Sequence, residues 1–187
     1  MSTSASVDRF NTAEHAWFPC QEMDIGRSSP CVVAIEDKIW VLGGLRRREM
    51  LTSCCCYDPS RDTWKEVAKL PEKIAYFSSV TVGYCVWILG GIGQDYTCRK
   101  STFKFDTKTM EFVRGPDLNF RRKGSFSFVY LDKIYVCGGS VDGMKYLDTF
   151  EILDLKNPAP WTIHKLNLKN FNCNFLSITA LTPVRFL

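Results

Sequence analysis

A Gly-Gly pair closes an apolar run three times along this chain, at nearly constant intervals. The runs are KIWVLGG at 38–44, CVWILGG at 85–91 and KIYVCGG at 133–139. Their first glycines, at positions 43, 90 and 138, are 47 and 48 residues apart. A second set of markers, the aromatic residues Trp17, Trp64, Phe112 and Trp161, follows almost the same period. Because two independent sets of markers share one period, we expect a chain built from repeated structural units.

Each repeat contains four short strand candidates separated by turn residues. In the unit at 23–70 they are PCVVAI (30–35), KIWVLG (38–43), TSCCCYD (52–58) and TWKEVA (63–68). The segments EDK at 36–38 and LDK at 131–133 predict tight hairpin turns. No window keeps a helical period, so helix content should be low. Four antiparallel strands at this period predict the blades of a β-propeller.

The repeat resembles the kelch repeat. The double glycine after an apolar strand, the phrase YDP at 57–59 and Trp64, some twenty residues after the glycines, carry the likeness. It runs from about Val7 to Leu181, with Phe112 in place of Trp and extra residues between Leu153 and Trp161. The residues that we assign to the repeat itself are Gly43, Gly44, Trp64, Gly90, Gly91, Phe112, Gly138, Gly139 and Trp161. The resemblance implies an all-β, kelch-type propeller with four-stranded blades around a central channel.

The units divide the chain as a single kelch-repeat domain at 1–187. It holds a partial unit at 7–22, full units at about 23–70, 71–118 and 119–168, and a partial unit at 169–187. The two partial units could combine into one blade and close a ring of about four blades. The alternative, which we favour, is an incomplete arc of a larger propeller, since the resemblance implies commonly six blades. An open arc would leave apolar faces uncovered and would allow self-association.

The composition and the cysteines limit the classes of protein to which the chain can belong. The chain has 187 residues, 45% of them hydrophobic, which predicts a real core. The run YCVWIL at 84–89 is too short to cross a membrane. The first ten residues show no secretory signal, so we expect a cytoplasmic or nuclear protein with nine mostly reduced cysteines. Strand alternation puts Cys54 and Cys56 on one face and Cys55 on the other, which favours packing over a metal or redox centre.

Basic residues concentrate in the loops that lie on one side of the predicted disc. The net charge is only +4, but the loops between strands four and one and between strands two and three hold most of the excess. The candidate partner-binding residues are Arg27, Arg46, Arg47, Arg48, Lys73, Arg99, Arg121, Arg122 and Lys145. The resemblance implies that partner peptides bind on this same side, as they do in kelch domains. We therefore expect a protein partner with an acidic or phosphorylated segment, and no nucleic acid.

Catalytic and metal-binding patterns are weak in this sequence. The two histidines, His15 and His164, lie far apart and each flanks a repeat tryptophan. The motifs HExxH, GxSxG, CxxC and the P-loop are absent from the sequence. We expect no catalytic residues, no metal and no cofactor, and hence a non-catalytic protein–protein interaction module. The alternative hypothesis is a propeller enzyme with a pocket at the channel mouth.

Overall fold

The chain folds into antiparallel β-strands. The computed structural model describes residues 3–142, 144–157 and 160–165. Its strands are β1 (Val7–Asn11), β2 (Ala16–Cys20), β3 (Cys31–Ile35), β4 (Lys38–Leu42), β5 (Leu45–Arg46), β6 (Glu49–Met50), β7 (Ser53–Asp58), β8 (Thr63–Lys69), β9 (Ile74–Ala75), β10 (Ser78–Val82), β11 (Cys85–Leu89), β12 (Ile92–Gly93), β13 (Thr102–Asp106), β14 (Glu111–Arg114), β15 (Phe126–Tyr130), β16 (Lys133–Cys137), β17 (Thr149–Asp154) and β18 (Thr162–Lys165). Within those ranges there is no helix capable of crossing a bilayer.

Three four-stranded sheets follow one another along the chain as blades. Blade 1 is β3-β4-β7-β8, blade 2 is β10-β11-β13-β14 and blade 3 is β15-β16-β17-β18. An N-terminal hairpin, β1-β2, precedes them. The prediction of an all-β fold with four antiparallel strands per blade is confirmed. The predicted partial unit at 169–187 lies outside the described residues.

The predicted tight turns are present where the strands reverse. Glu36 and Asp37 have φ angles of 48° and 49°, and Leu131 and Asp132 have φ angles of 46° and 58°. Two consecutive residues with positive φ make a turn whose twist matches that of a β-hairpin. The registers Ile35↔Lys38 and Tyr130↔Lys133 show that both are two-residue loops.

Neighbouring blades bury their apolar faces against each other. Trp40 and Leu42 of blade 1 join Val86, Ile88 and Phe105 of blade 2 in one cluster. One period later, Trp87 and Leu89 of blade 2 join the blade 3 residues Ile134, Val136 and Leu153 in a second cluster. Because side chains alternate along a strand, each strand offers every second residue to one neighbouring blade and the residues between them to the other. The fold is therefore stabilised by repeated contacts between blades.

The repeat tryptophans attach each blade to the one before it. The indole Nε1 of Trp64 donates to the carbonyl oxygen of Gln21 at 2.8 Å, and that of Trp161 donates to the carbonyl oxygen of Pro116 at 2.8 Å. Phe112 has no such donor and instead stacks on Phe105, with ring centroids 4.6 Å apart. The aromatic markers of the sequence are thus contacts between and within blades.

The double glycines have a steric role that only this residue can fill. Gly90 and Gly91 have φ angles of 66° and 102°. A Cβ on Gly90 would lie 2.5 Å from the carbonyl oxygen of Arg122, and one on Gly91 would lie 2.8 Å from that of Ala75. Glycine is required here because the chain leaves the strand with positive φ and passes close to the next linker.

The three consecutive cysteines alternate between the two faces of β7, as predicted. Cys54 and Cys56 are buried in the cluster between blades 1 and 2. Cys55 points to the other face, where its Sγ lies 3.5 Å from Nη2 of Arg27. Burial raises the pKa of the Cys54 thiol to about 12, which stabilises the neutral thiol. These cysteines therefore behave as small apolar side chains.

Candidate functional site

The loops at one end of the strands form a continuous surface, which we call the rim. It comprises residues 21–30, 43–52, 70–77, 90–101, 115–125, 138–142 and 144–148. In each blade the residue after the double glycine pairs with the linker that enters the same blade. Ser28 and Leu45 exchange two main-chain hydrogen bonds of 2.8 Å, and Ile92 pairs with Ala75. The rim is therefore held by main-chain pairing and is a defined surface.

Arg46, Arg47 and Arg48 form the most exposed basic part of the rim. β5 and β6 are joined by a two-residue turn made of Arg47 and Arg48, and Arg47 has a φ of 58°. All three side chains are exposed. The hairpin is anchored underneath by Leu45 and Met50, which are buried with Ala75 and Ile92. The anchor presents the three guanidinium groups to solvent at the edge of blade 1.

Arg27 and Arg122, which the sequence placed on the rim surface, are buried below it. Arg27 is only 6% exposed and donates to the carbonyl oxygens of Gly43 and Ser53 at 2.9 and 3.1 Å. Arg122 is fully buried and donates to the carbonyl oxygen of Gly138 at 2.8 Å. Each arginine thus donates a hydrogen bond to the carbonyl oxygen of the first glycine of the pair in its own blade. This corrects the sequence prediction, because neither guanidinium is available to a partner at the surface.

The two buried arginines occupy the same repeat position but have different neighbours. Nη2 of Arg122 contacts Oε1 of Glu151 at 2.6 Å. The residue equivalent to Glu151 in blade 1 is Cys55, which contacts Arg27. In blade 2 both positions are apolar, with Ile74 and Phe103 buried in the same cluster. The arginines therefore belong to the internal structure of the repeat.

The remaining predicted cations differ in whether an acidic side chain already pairs with them. Arg99 pairs with Asp95 at 2.9 Å and with Glu72 at 3.6 Å, and Lys73 pairs with Glu49 at 3.6 Å. A second group forms none of the ion pairs found among the described residues: Arg46, Arg47, Arg48, Arg121 and Lys145. All five are exposed. We call this group the free rim cations, and their binding of a partner stays a prediction.

Exposed aromatic and apolar side chains lie among these cations, and the sequence analysis missed them. Tyr76 is 44% exposed, Tyr96 74%, Phe120 37% and Met144 88%. Tyr76 and Tyr96 have positive φ angles of 53° and 60°, so the backbone turns each side chain out of the strand pattern. Their place in the linkers and after the double glycines was a usable signal. The rim thus offers both positive charge and apolar area.

The boundary between blades 2 and 3 carries a separate feature. A cleft of about 370 Å³ lies between blades 2 and 3, and Val82, Cys85, Trp87 and Leu153 line part of it. His15 lies in the turn of the N-terminal hairpin and His164 in β18. Within the described ranges, no three side chains of the metal-binding types come together. The cleft lies between two blades, and the predicted pocket of the enzyme hypothesis would lie at the channel mouth.

Comparison with known proteins gives consistent results. Residues 26–71 match the Kelch motif family model. Kelch-like protein 35 of Mus musculus is 30% identical over 139 residues, 73% of this chain and 24% of that protein. Kelch-like protein 25 of Xenopus tropicalis is 26% identical over 78% of this chain and 25% of that protein. Alpha-scruin of Limulus polyphemus is 23% identical over 90% of this chain and 19% of that protein. The chain spans about a quarter or less of the length of these relatives.

The fold has a match among solved structures. YjhT superposes with a TM-score of 0.74 and 13% sequence identity, over 91% of this chain and 68% of that chain. At this identity the likeness concerns the fold alone. Together with the three four-stranded blades and the Kelch motif match, it identifies the chain as a kelch-repeat protein with a β-propeller fold.

Proposed function

We propose that the chain is a non-catalytic protein-binding module that uses the rim to bind a peptide segment bearing acidic side chains. The observation that carries this proposal is the set of free rim cations interspersed with exposed aromatic residues. Arginine is suited to this role because its guanidinium donates in a fixed fork to a carboxylate or phosphate. We expect the protein to work in the cytoplasm or nucleus, where such segments are present on intracellular partners.

The exposed side chains of the rim favour a ligand of a particular chemistry. Arg46, Arg47 and Arg48 are exposed and take part in none of the ion pairs found among the described residues, so a partner carboxylate meets them without displacing an internal ion pair. Tyr96 and Phe120 add apolar contact area, which dominates the affinity of most peptide interfaces. The preferred segment therefore combines Asp or Glu with at least one aromatic or large aliphatic residue. We expect the charged contacts to determine the orientation of the peptide and its association rate. We expect the burial of apolar groups to determine how long the complex lasts.

The experiment is a selection from a displayed peptide library, followed by affinity measurement of the enriched peptides. We expect the native chain to enrich acidic sequences that contain an apolar residue. The test variant carries Arg46→Glu, Arg47→Glu and Arg48→Glu, and should bind the enriched peptides roughly tenfold or more weakly, because a hydrogen bond to a charged group contributes about 1.5–3 kcal/mol. Raising the salt concentration should weaken native binding and leave the variant little changed.

A matched control reverses the same number of charges on the opposite side and outer edge of blade 1. Lys38, Arg61 and Lys65 are exposed there and lie outside the rim. Their reversal to Glu should leave peptide affinity unchanged. Equal loss of binding in both triple variants would mean that net charge alone attracts the peptide. Selection of peptides without acidic residues would refute the proposed ligand chemistry.

A further inference from the structure

Phe10 and Trp17 on the N-terminal hairpin are exposed at positions that are buried or half-buried in every complete blade. They face each other across β1 and β2, with ring centroids 5.2 Å apart. Phe10 is 44% exposed and Trp17 is 68% exposed. One period later the equivalent pair is Tyr57 and Trp64, also facing each other across two strands, 4.9 Å apart. The hairpin therefore has the outer two strands of a blade and the aromatic pair that belongs to them.

In blades 2 and 3 the equivalent pair packs with one tryptophan of the preceding blade. Phe105 meets the ring of Trp40 edge-on at 5.9 Å, and Phe112 packs on the same cluster. At the next interface, Leu153 and Trp161 share a buried cluster with Trp87. Trp40 and Trp87 are 47 residues apart and occupy the same place in the second strand of their blades. At both interfaces between complete blades, a second-strand tryptophan of one blade therefore lies in the same apolar cluster as the outer pair of the next blade.

Blade 3 carries the next residue in that series, Tyr135. It lies 48 residues after Trp87, in β16, on the face turned away from blade 2. Phe128 stacks on it at 4.8 Å with an interplanar angle of 2°, and Phe150 lies 6.3 Å from it. Trp40 and Trp87 are buried, whereas Tyr135 is only half-buried. Tyr135 therefore stands where the outer-strand pair of a following blade would dock.

The hydrogen bonding of the indoles points the same way. Trp64 and Trp161 donate to carbonyl oxygens just past the outer strand of the preceding blade. The described residues provide no blade in front of the N-terminal hairpin, and its Trp17 is more exposed than either. A preceding blade would cover the Trp17 ring and offer its indole the equivalent carbonyl acceptor.

We propose that Phe10 and Trp17 of one copy of this chain dock on Tyr135 of a second copy, so that two arcs associate head to tail. The two ends of the arc are the two halves of the interface that recurs inside it. Such a contact is heterologous, because different surfaces of the two copies meet. It uses the faces of the blades and not the rim, so it does not depend on the proposed peptide binding.

The test is the solution mass of the chain by light scattering and sedimentation across micromolar concentrations. We expect association of the native chain, with Trp17→Asp and Tyr135→Asp each weakening it roughly tenfold or more, as for central aromatic residues of an interface. Met110→Asp is the matched control, since Met110 is 38% exposed in a turn of blade 2, away from both ends. If Tyr135→Asp lowers the folded fraction by circular dichroism, Tyr135→Thr replaces it, because threonine favours strands.

A mixing experiment tests the head-to-tail arrangement. Equal amounts of the Trp17→Asp and Tyr135→Asp variants contain one intact half of the interface each, so the mixture should associate more strongly than either variant alone. A native chain that is monomeric throughout would refute the proposal, including the case in which one chain closes on itself. Association that survives either single variant, or that mixing fails to restore, would refute the assigned contact.

Discussion

Arg122 and Glu151 form a fully buried ion pair beneath the rim, with Nη2 and Oε1 2.6 Å apart. The carboxylate also accepts hydrogen bonds from the main-chain nitrogens of Asn119 and Phe120, at 2.6 and 3.2 Å. Burial lowers the pKa of Arg122, and the charge of Glu151 opposes that shift. One carboxylate thus fixes both the buried cation and the linker that carries Phe120 and Arg121 on the rim.

Removing one member of this pair should destabilise the fold strongly. Arg122→Met leaves a buried carboxylate and Glu151→Gln leaves a buried guanidinium, so each should cost about 3–5 kcal/mol in the free energy of unfolding. The double variant buries no charge and should lose less than the sum of the two. Urea denaturation of the three variants measures this. Additive losses would show that the two side chains do not interact energetically.

The buried thiols should make stability fall at alkaline pH. Burial raises the pKa of Cys31 to about 11 and that of Cys54 to about 12, above the value of 9.0 for the free side chain. The folded state then keeps protons that the unfolded state releases, so the stabilisation is complete below pH 9 and is lost as the pH rises through 9 toward 12.

Thiol labelling at pH 8 tests the same groups directly. A rise of two pKa units lowers the thiolate fraction roughly 100-fold, so Cys31 should react at least that much more slowly in the folded than in the urea-unfolded chain. Cys20, which is half-buried on the N-terminal hairpin, serves as the internal reference. Rapid labelling of Cys54 in the folded chain would contradict the packing role assigned to it.

Two equivalent glycines should respond differently to alanine. Gly90 and Gly138 have φ angles of 66° and 60°, so both substitutions carry a backbone cost of about 1–2 kcal/mol. A Cβ on Gly90 would lie 2.5 Å from the carbonyl oxygen of Arg122, whereas one on Gly138 finds its nearest atom at 3.8 Å. Gly90→Ala should therefore lose a further ~1–3 kcal/mol through overpacking. Equal unfolding midpoints in urea would show that the linker moves aside.

The repeat was readable from the sequence because its markers are local. Gly43 and Gly90 directly follow second strands, Trp64 lies in an outer strand and Trp161 directly precedes one, so a fixed period gives both strand number and blade order. The alternation of Cys54, Cys55 and Cys56 followed from strand geometry in the same way. These predictions depend on neighbours along the chain, and the sequence contains those neighbours.

The site was predicted less completely, because exposure depends on contacts between distant segments. In the sequence Arg27 and Arg122 resemble exposed loop cations. In the structure both are buried, because each donates to the carbonyl oxygen of a glycine 16 residues away, Gly43 for Arg27 and Gly138 for Arg122. The sequence does not distinguish Arg46, Arg47 and Arg48 from these two arginines, yet they are exposed because they lie at the tip of the hairpin β5-β6. The sequence by itself determined a kelch-type array of blades and predicted which side of it is basic. The tertiary structure alone decided which arginines are exposed, because a cation is buried where protein acceptors replace water, and stays exposed where none do.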